Sequence, residues 1–123
     1  MQHSYDFPTV FRSHHPGPAW ILQHASDFNL TPQQTAAIER LQNGMRSSVA
    51  ENSAKLKQAY SHYENDSRAP LPDEKAMLDD VHAVGDAQTQ LAGAMIPYHL
   101  QAYDELDAVQ KKTYERLVAV AGP

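Results

Sequence analysis

An all-α fold is what this sequence predicts, and three observations predict it. Apolar residues recur at spacings of three, four or seven through residues 38–63 and again through 71–98, the period of one helix face. No segment alternates apolar and polar residues as a half-buried strand would. Finally, one phrase occurs twice: LTPQQTAAIERL at 30–41 returns as LDAVQKKTYERL at 106–117, with Leu, Gln, Glu, Arg and Leu at the same offsets.

The phrase reads first as a helix start. Thr31 suits the N-cap, Pro32 the first helical position, and Gln34 can reach back to the cap, which makes a capping box. Leu30, just before the cap, is placed to pack on the first turns as a staple. In the second copy Asp107 replaces Thr31, while Leu106 and Gln110 repeat Leu30 and Gln34, so the same chemistry is expected there.

Four helices follow in order. Pro18 opens a short one to about residue 28, with Trp20, Ile21, His24 and Phe28 on one face. The second runs from the first phrase to about residue 65 along Ile38, Leu41, Met45, Val49, Leu56, Tyr60 and Tyr63, a rod of roughly 50 Å. Gly44 weakens it by about 1 kcal/mol against alanine. Pro70 and Pro72 stop it, and Asp73 and Glu74 suit the positive start of the third. That helix carries Leu71, Leu78, Val81, Val84, Leu91, Met95 and Tyr98 to about residue 103, with a kink at Pro97, which denies a hydrogen bond to the Gly93 carbonyl. The fourth starts at the second phrase and runs through Tyr114, Leu117 and Val120. Residues 1–17 hold Pro8, Pro16, Gly17, His3, His14 and His15 without a sustained period. They are expected to form an extended, mobile arm, leaving 18–123 as a single helical-hairpin domain. Two long paired helices cannot cover all their apolar surface alone, so a twofold homodimer is expected.

Composition removes several classes of function. Ten Lys+Arg against fifteen Asp+Glu give a net charge of −5, which argues against a nucleic-acid partner, since phosphates call for a clustered basic face. No apolar stretch approaches the ~20 residues of a membrane helix. The start, MQHSYDFPTV, lacks the basic and apolar regions of a secretory signal, which fits either an intracellular protein or a chain whose signal has been removed. The absence of cysteine excludes disulfides, thiolate ligands and cysteine nucleophiles. No nucleophile–base pair stands in a glycine-rich turn and no phosphate loop is present, so no enzyme is predicted.

Leu30, Thr31 and Gln34, echoed by Leu106 and Gln110, give an L-T-x-x-Q and a second L-x-x-x-Q separated by two long helices. This pattern resembles the periplasmic family of Spy- and CpxP-type chaperones and CnrX- and ZraP-type metal-responsive proteins, over about residues 18–120. The resemblance implies a four-helix hooked antiparallel hairpin with two long central helices, a cradle-like homodimer, a periplasmic location with signal or anchor removed, and no catalysis. It further implies a membrane-bound signalling partner or unfolded client proteins. In the sensor branch two histidines one turn apart, a Glu, and a His-x-x-x-Met hold the metal. The matching positions here read Trp20-x-x-x-His24, Gln42 and a reversed Met95-x-x-x-His99.

Read from the residues, Met95, His99 and Tyr103 share one helix face. With His24 they could form an imidazole–thioether pocket for nickel, cobalt, copper or zinc, aimed by the kink at Pro97; the alternative is a buried structural histidine among core residues. His3, His14 and His15 could bind metal on the arm, with Met1-Gln2-His3 suited to square-planar copper or nickel. His82 between Asp79 and Asp86 could hold zinc weakly, as could His62 with Asp66, or each could be a solvated flank. Tyr60, Tyr63, Tyr98, Tyr103 and Tyr114, with Trp20 and Phe28, could line a groove gripping apolar client segments, or serve as core and dimer interface. The leading expectation is a periplasmic metal or envelope-stress accessory protein that binds or senses a divalent metal. A client-holding chaperone and a helical adaptor without metal are the alternatives.

Overall fold

A computed structural model describes residues 6–121, so the expectations placed on His3 and on Met1-Gln2-His3 lie outside the described residues. Among the described residues there is no strand, and the fold is all-α. The helices are α1 (Phe7–His14), α2 (Pro18–Gln23), α3 (Ala25–Phe28), α4 (Pro32–Ser67), α5 (Glu74–Gly93), α6 (Ile96–Asp104) and α7 (Ala108–Ala121). Internal packing divides the chain into two units, residues 1–46 with 95–123, and residues 47–94.

Three local features account for the difference from four helices. Where an extended arm is expected, α1 forms instead. Asp6 caps it, its carboxylate accepting from the Thr9 amide at 3.3 Å and from the Thr9 hydroxyl at 2.6 Å, and Pro8 stands in the first turn. A turn at His24 divides the next helix into α2 and α3. Asn29 then closes α3 in the left-handed conformation, φ 56° and ψ 50°, while the Leu30 amide bonds to the Ala25 carbonyl at 3.3 Å. That geometry is a helix-ending motif glycine or asparagine can supply. Finally, Pro97 ends one helix rather than kinking it: α5 stops at Gly93 and α6 begins at Ile96, with proline in its first turn.

The first unit contains the core. Ile21, Phe28, Ile38, Ala102, Leu106 and Tyr114 are buried together, with Trp20, Leu30, Leu41, Tyr103 and Leu117 packed around them. Both leucines ahead of the capped starts, Leu30 and Leu106, therefore reach the core as the staple reading expects. Gly44 also has a packing reason: a Cβ there would sit 3.0 Å from Cε1 of Tyr98.

The second unit pairs the later part of α4 with α5 across a turn at residues 68–73. Tyr60 and Tyr63 face Val81 and Val84 around an opening of about 230 Å³. Its buried apolar residues, Ala87 and Ala94, are small. Tyr60, Leu78 and Val81 remain half or more exposed. This unit therefore presents apolar surface instead of enclosing it.

Candidate functional site

The repeated phrase converges on two glutamines. In the first copy the Thr31 amide donates to Gln34 Oε1 at 3.0 Å and the Gln34 amide donates to the Thr31 hydroxyl at 3.1 Å. The second copy repeats this with Asp107 and Gln110, both bonds at 2.8 Å. The two side chains then meet: Gln34 Nε2 donates to Gln110 Oε1 at 2.7 Å, and Gln110 Nε2 donates to Gln34 Oε1 at 3.0 Å. Each amide nitrogen has a second acceptor, the Glu105 carbonyl at 2.9 Å for Gln34 and the Phe28 carbonyl at 3.0 Å for Gln110. Every donor and acceptor site of both amides is thus filled. The arrangement fixes both amide orientations, because a flipped amide would aim its N–H groups at the capped backbone amides. Each box closes its own helix start, and the pair ties α4 to α7 beside the loops that precede both.

His99, from α6, is buried, and its surroundings come from α1 and the residues after it. Its Nδ1 donates to the His15 carbonyl at 2.6 Å, so Nε2 of the neutral ring carries no proton. The ring packs against Gly17, where a Cβ would overlap it, and tilts against Phe11 with centroids 5.6 Å apart. The Tyr114 hydroxyl donates to the Pro16 carbonyl at 2.7 Å, which fastens the same segment from α7. Burial is the main influence holding the His99 pKa below its ordinary value, with Arg12 and His15 adding to it and the bond to the His15 carbonyl opposing. Burial likewise pushes the Tyr114 hydroxyl well above its usual range.

The pH consequence follows from the sign of that shift. The unfolded chain takes up the His99 proton near 6.5, whereas the folded chain resists it. Stability from this group is full above pH 6.5 and is lost as pH falls through 6.5 toward the depressed folded value. In urea denaturation between pH 7.5 and 5, His99→Asn is expected to flatten that decline, and an unchanged slope would show that His99 does not cause it.

A cavity of about 450 Å³ lies beside this latch. Its lining includes His14 and His15 of the α1 end, His99, Leu100 and Tyr103 of α6, and Tyr114 and Glu115 of α7. The Tyr103 hydroxyl donates to Glu115 Oε2 at 3.2 Å, and Lys111 sits over the Tyr103 ring at 5.2 Å.

The other sequence-predicted residues are placed as follows. His24 tilts against Trp20 with centroids 4.6 Å apart and its Nδ1 donates to Asp27 at 3.0 Å, while His99 is committed to α1, so the two imidazoles have different neighbours. The Nε2 of His99 faces the Gly17 backbone, where a metal would first have to displace the chain. Met95 precedes α6, and its carbonyl accepts from the His99 amide at 3.0 Å. Among the described residues no three of His, Asp and Glu are grouped to hold a metal ion. Asp79, beside His82, is bonded to Lys75 at 2.9 Å. Phe28 is buried in the core, where Trp20, Phe28, Tyr103 and Tyr114 stack edge to face or tilted at 5.0–6.5 Å; these aromatics hold the first unit together. Tyr60 and Tyr63 stand on the open face of the second. The burial of His99 matches the alternative of a buried structural histidine, whereas its bond to the His15 carbonyl and the pairing of the two glutamines are not anticipated by the sequence.

The sequence model described as LTXXQ motif family protein matches residues 21–118. No curated protein and no solved structure matches the chain.

Proposed function

Because the chain belongs to the LTXXQ motif family, whose members are periplasmic in general, we propose that it is a periplasmic envelope-stress accessory protein that holds apolar segments of unfolding clients on its second unit. One observation carries this reading: Tyr60 and Val81 stand half or more exposed around an open apolar pocket that Tyr63 and Val84 also line, in a unit whose buried apolar residues are alanines. Contiguous exposed apolar surface of this kind marks an interaction site. No helix among the described residues is long and apolar enough to cross a membrane.

Suppression of aggregation tests the reading. At near-stoichiometric ratio the wild type is expected to keep a denatured client in solution, and Tyr60→Ser with Val81→Ser to lose most of that protection. Both side chains are exposed, so the pair should change stability by under about 1 kcal/mol. Equal protection by the variant would overturn the assignment to this face. Light scattering on the same samples tests the second copy as competing occupant, twice the chain mass being the result that supports the cradle-like homodimer. Repeating the assay with nickel, cobalt, copper or zinc tests the metal-related alternative, and protection that no metal alters would remove metal from the reading.

A further inference from the structure

We propose that the cavity between α1, α6 and α7 binds a small apolar molecule that carries one hydrogen-bond donor, of the chemical class of an alkylphenol. This site is separate from the client face, since all its residues belong to the first unit. At about 450 Å³ it falls within the roughly 300–1,000 Å³ of sites for small organic ligands.

Its lining has the composition such a ligand needs. Leu100, Tyr103, Tyr114 and Val118 offer apolar and aromatic surface, and Glu115 is the carboxylate among them. Glu115 can only accept hydrogen bonds, and it already accepts one from Tyr103. A ligand head that donates would join that bond, whereas a carboxylate head would meet like charge. His14 and His15 at the rim can donate or accept, which suits a hydroxyl better than an ammonium.

The walls are fixed before any ligand arrives. Tyr114 is tied to Pro16, Tyr103 to Glu115 and His99 to His15, and Gly17 lets the His99 ring lie against the backbone. Fixed walls reduce the ordering that binding would otherwise require. One wall, His14 and His15, comes from residues ahead of the segment that the family model matches.

Trp20, the one tryptophan, packs edge to face on Tyr114 at 5.3 Å, so its fluorescence reports on the cavity wall. Purified chain of residues 1–123, with EDTA present to exclude metal, is titrated with 4-propylphenol and with 4-propylbenzoate, following Trp20 emission and heat. The phenol is expected to bind saturably at one site and at least about tenfold more tightly than the benzoate. Ala119→Phe fills the mouth from an exposed position and is expected to abolish binding without unfolding the chain. Glu115→Gln is expected to bring the two probes within about threefold of each other. The proposal is overturned if the phenol shows no saturable binding, if the benzoate binds as tightly to the wild type, or if Ala119→Phe leaves binding unchanged. None of these outcomes bears on the aggregation assay, which reads the other unit.

Discussion

Replacing Gln110 by glutamate will lower stability by about 3 kcal/mol, although glutamate is the usual partner in a capping box. The substitution separates two jobs done by one side chain. Glutamate still accepts from the Asp107 amide, so the start of α7 keeps its cap. Its second oxygen, however, replaces Nε2, which donates to the Phe28 carbonyl and to Gln34 Oε1. Two acceptors would then face an acceptor in a site where Gln110 is 6 % exposed. A buried carbonyl left without its donor costs about 1–3 kcal/mol, more beside a charge. For a chain of this length that corresponds to a fall of roughly 10 °C in melting temperature. Gln34→Glu should behave alike through the Glu105 carbonyl. In a double-mutant cycle with alanine at both positions, a coupling of about 1–2 kcal/mol is expected. Wild-type stability in Gln110→Glu, by thermal or urea denaturation, would show that the two amides do not pair.

Gly17→Ala is the second large effect, and steric overlap alone produces it. The added methyl would enter the space of the His99 ring. That ring cannot retreat, because it is 3 % exposed, bonded to the His15 carbonyl and packed against Phe11. Overfilling of this kind costs about 1–3 kcal/mol. Shrinking the ring should relieve it, so Gly17→Ala combined with His99→Ala is expected to be less destabilised than the sum of the two by about 1 kcal/mol or more. Urea denaturation of the four proteins provides the measurement. A neutral Gly17→Ala, or strict additivity, would contradict the close approach.

The helices were readable from the sequence where local chemistry decides them. T-P-Q-Q and the Asp107–Gln110 turn announce their caps, the paired prolines end α4, and the three-four spacing of Ile38, Leu41 and Met45 persists as helix. The same chemistry stands ahead of α1: Asp6 before a Pro8-containing turn is a cap signal, and Phe7, Val10, Phe11 and His14 keep helical spacing. Histidines and prolines nearby gave that stretch the look of an unstructured arm. The fate of the aromatics was not readable, because a three-four stripe says which residues share a face but not whether that face meets the core or solvent. Phe28 and Tyr114 went to the core, while Tyr60 did not. The glutamine pair was half-legible. Glutamine in both boxes, where glutamate would cap as well, was the available hint. Recognising it required knowing that the two helix starts meet, and that is tertiary information.

That meeting has a kinetic side. Gln34 closes its own turn with neighbours three residues away, yet its amide partner stands 76 positions further along the chain. Closing so long a loop is entropically unfavourable until many other contacts have formed. As the polypeptide emerges from the ribosome, amino end first, the buried Phe28 carbonyl must wait for Gln110 to arrive. A chain interrupted between residues 34 and 110 would carry every residue of the first box and still leave the Phe28 carbonyl without its donor.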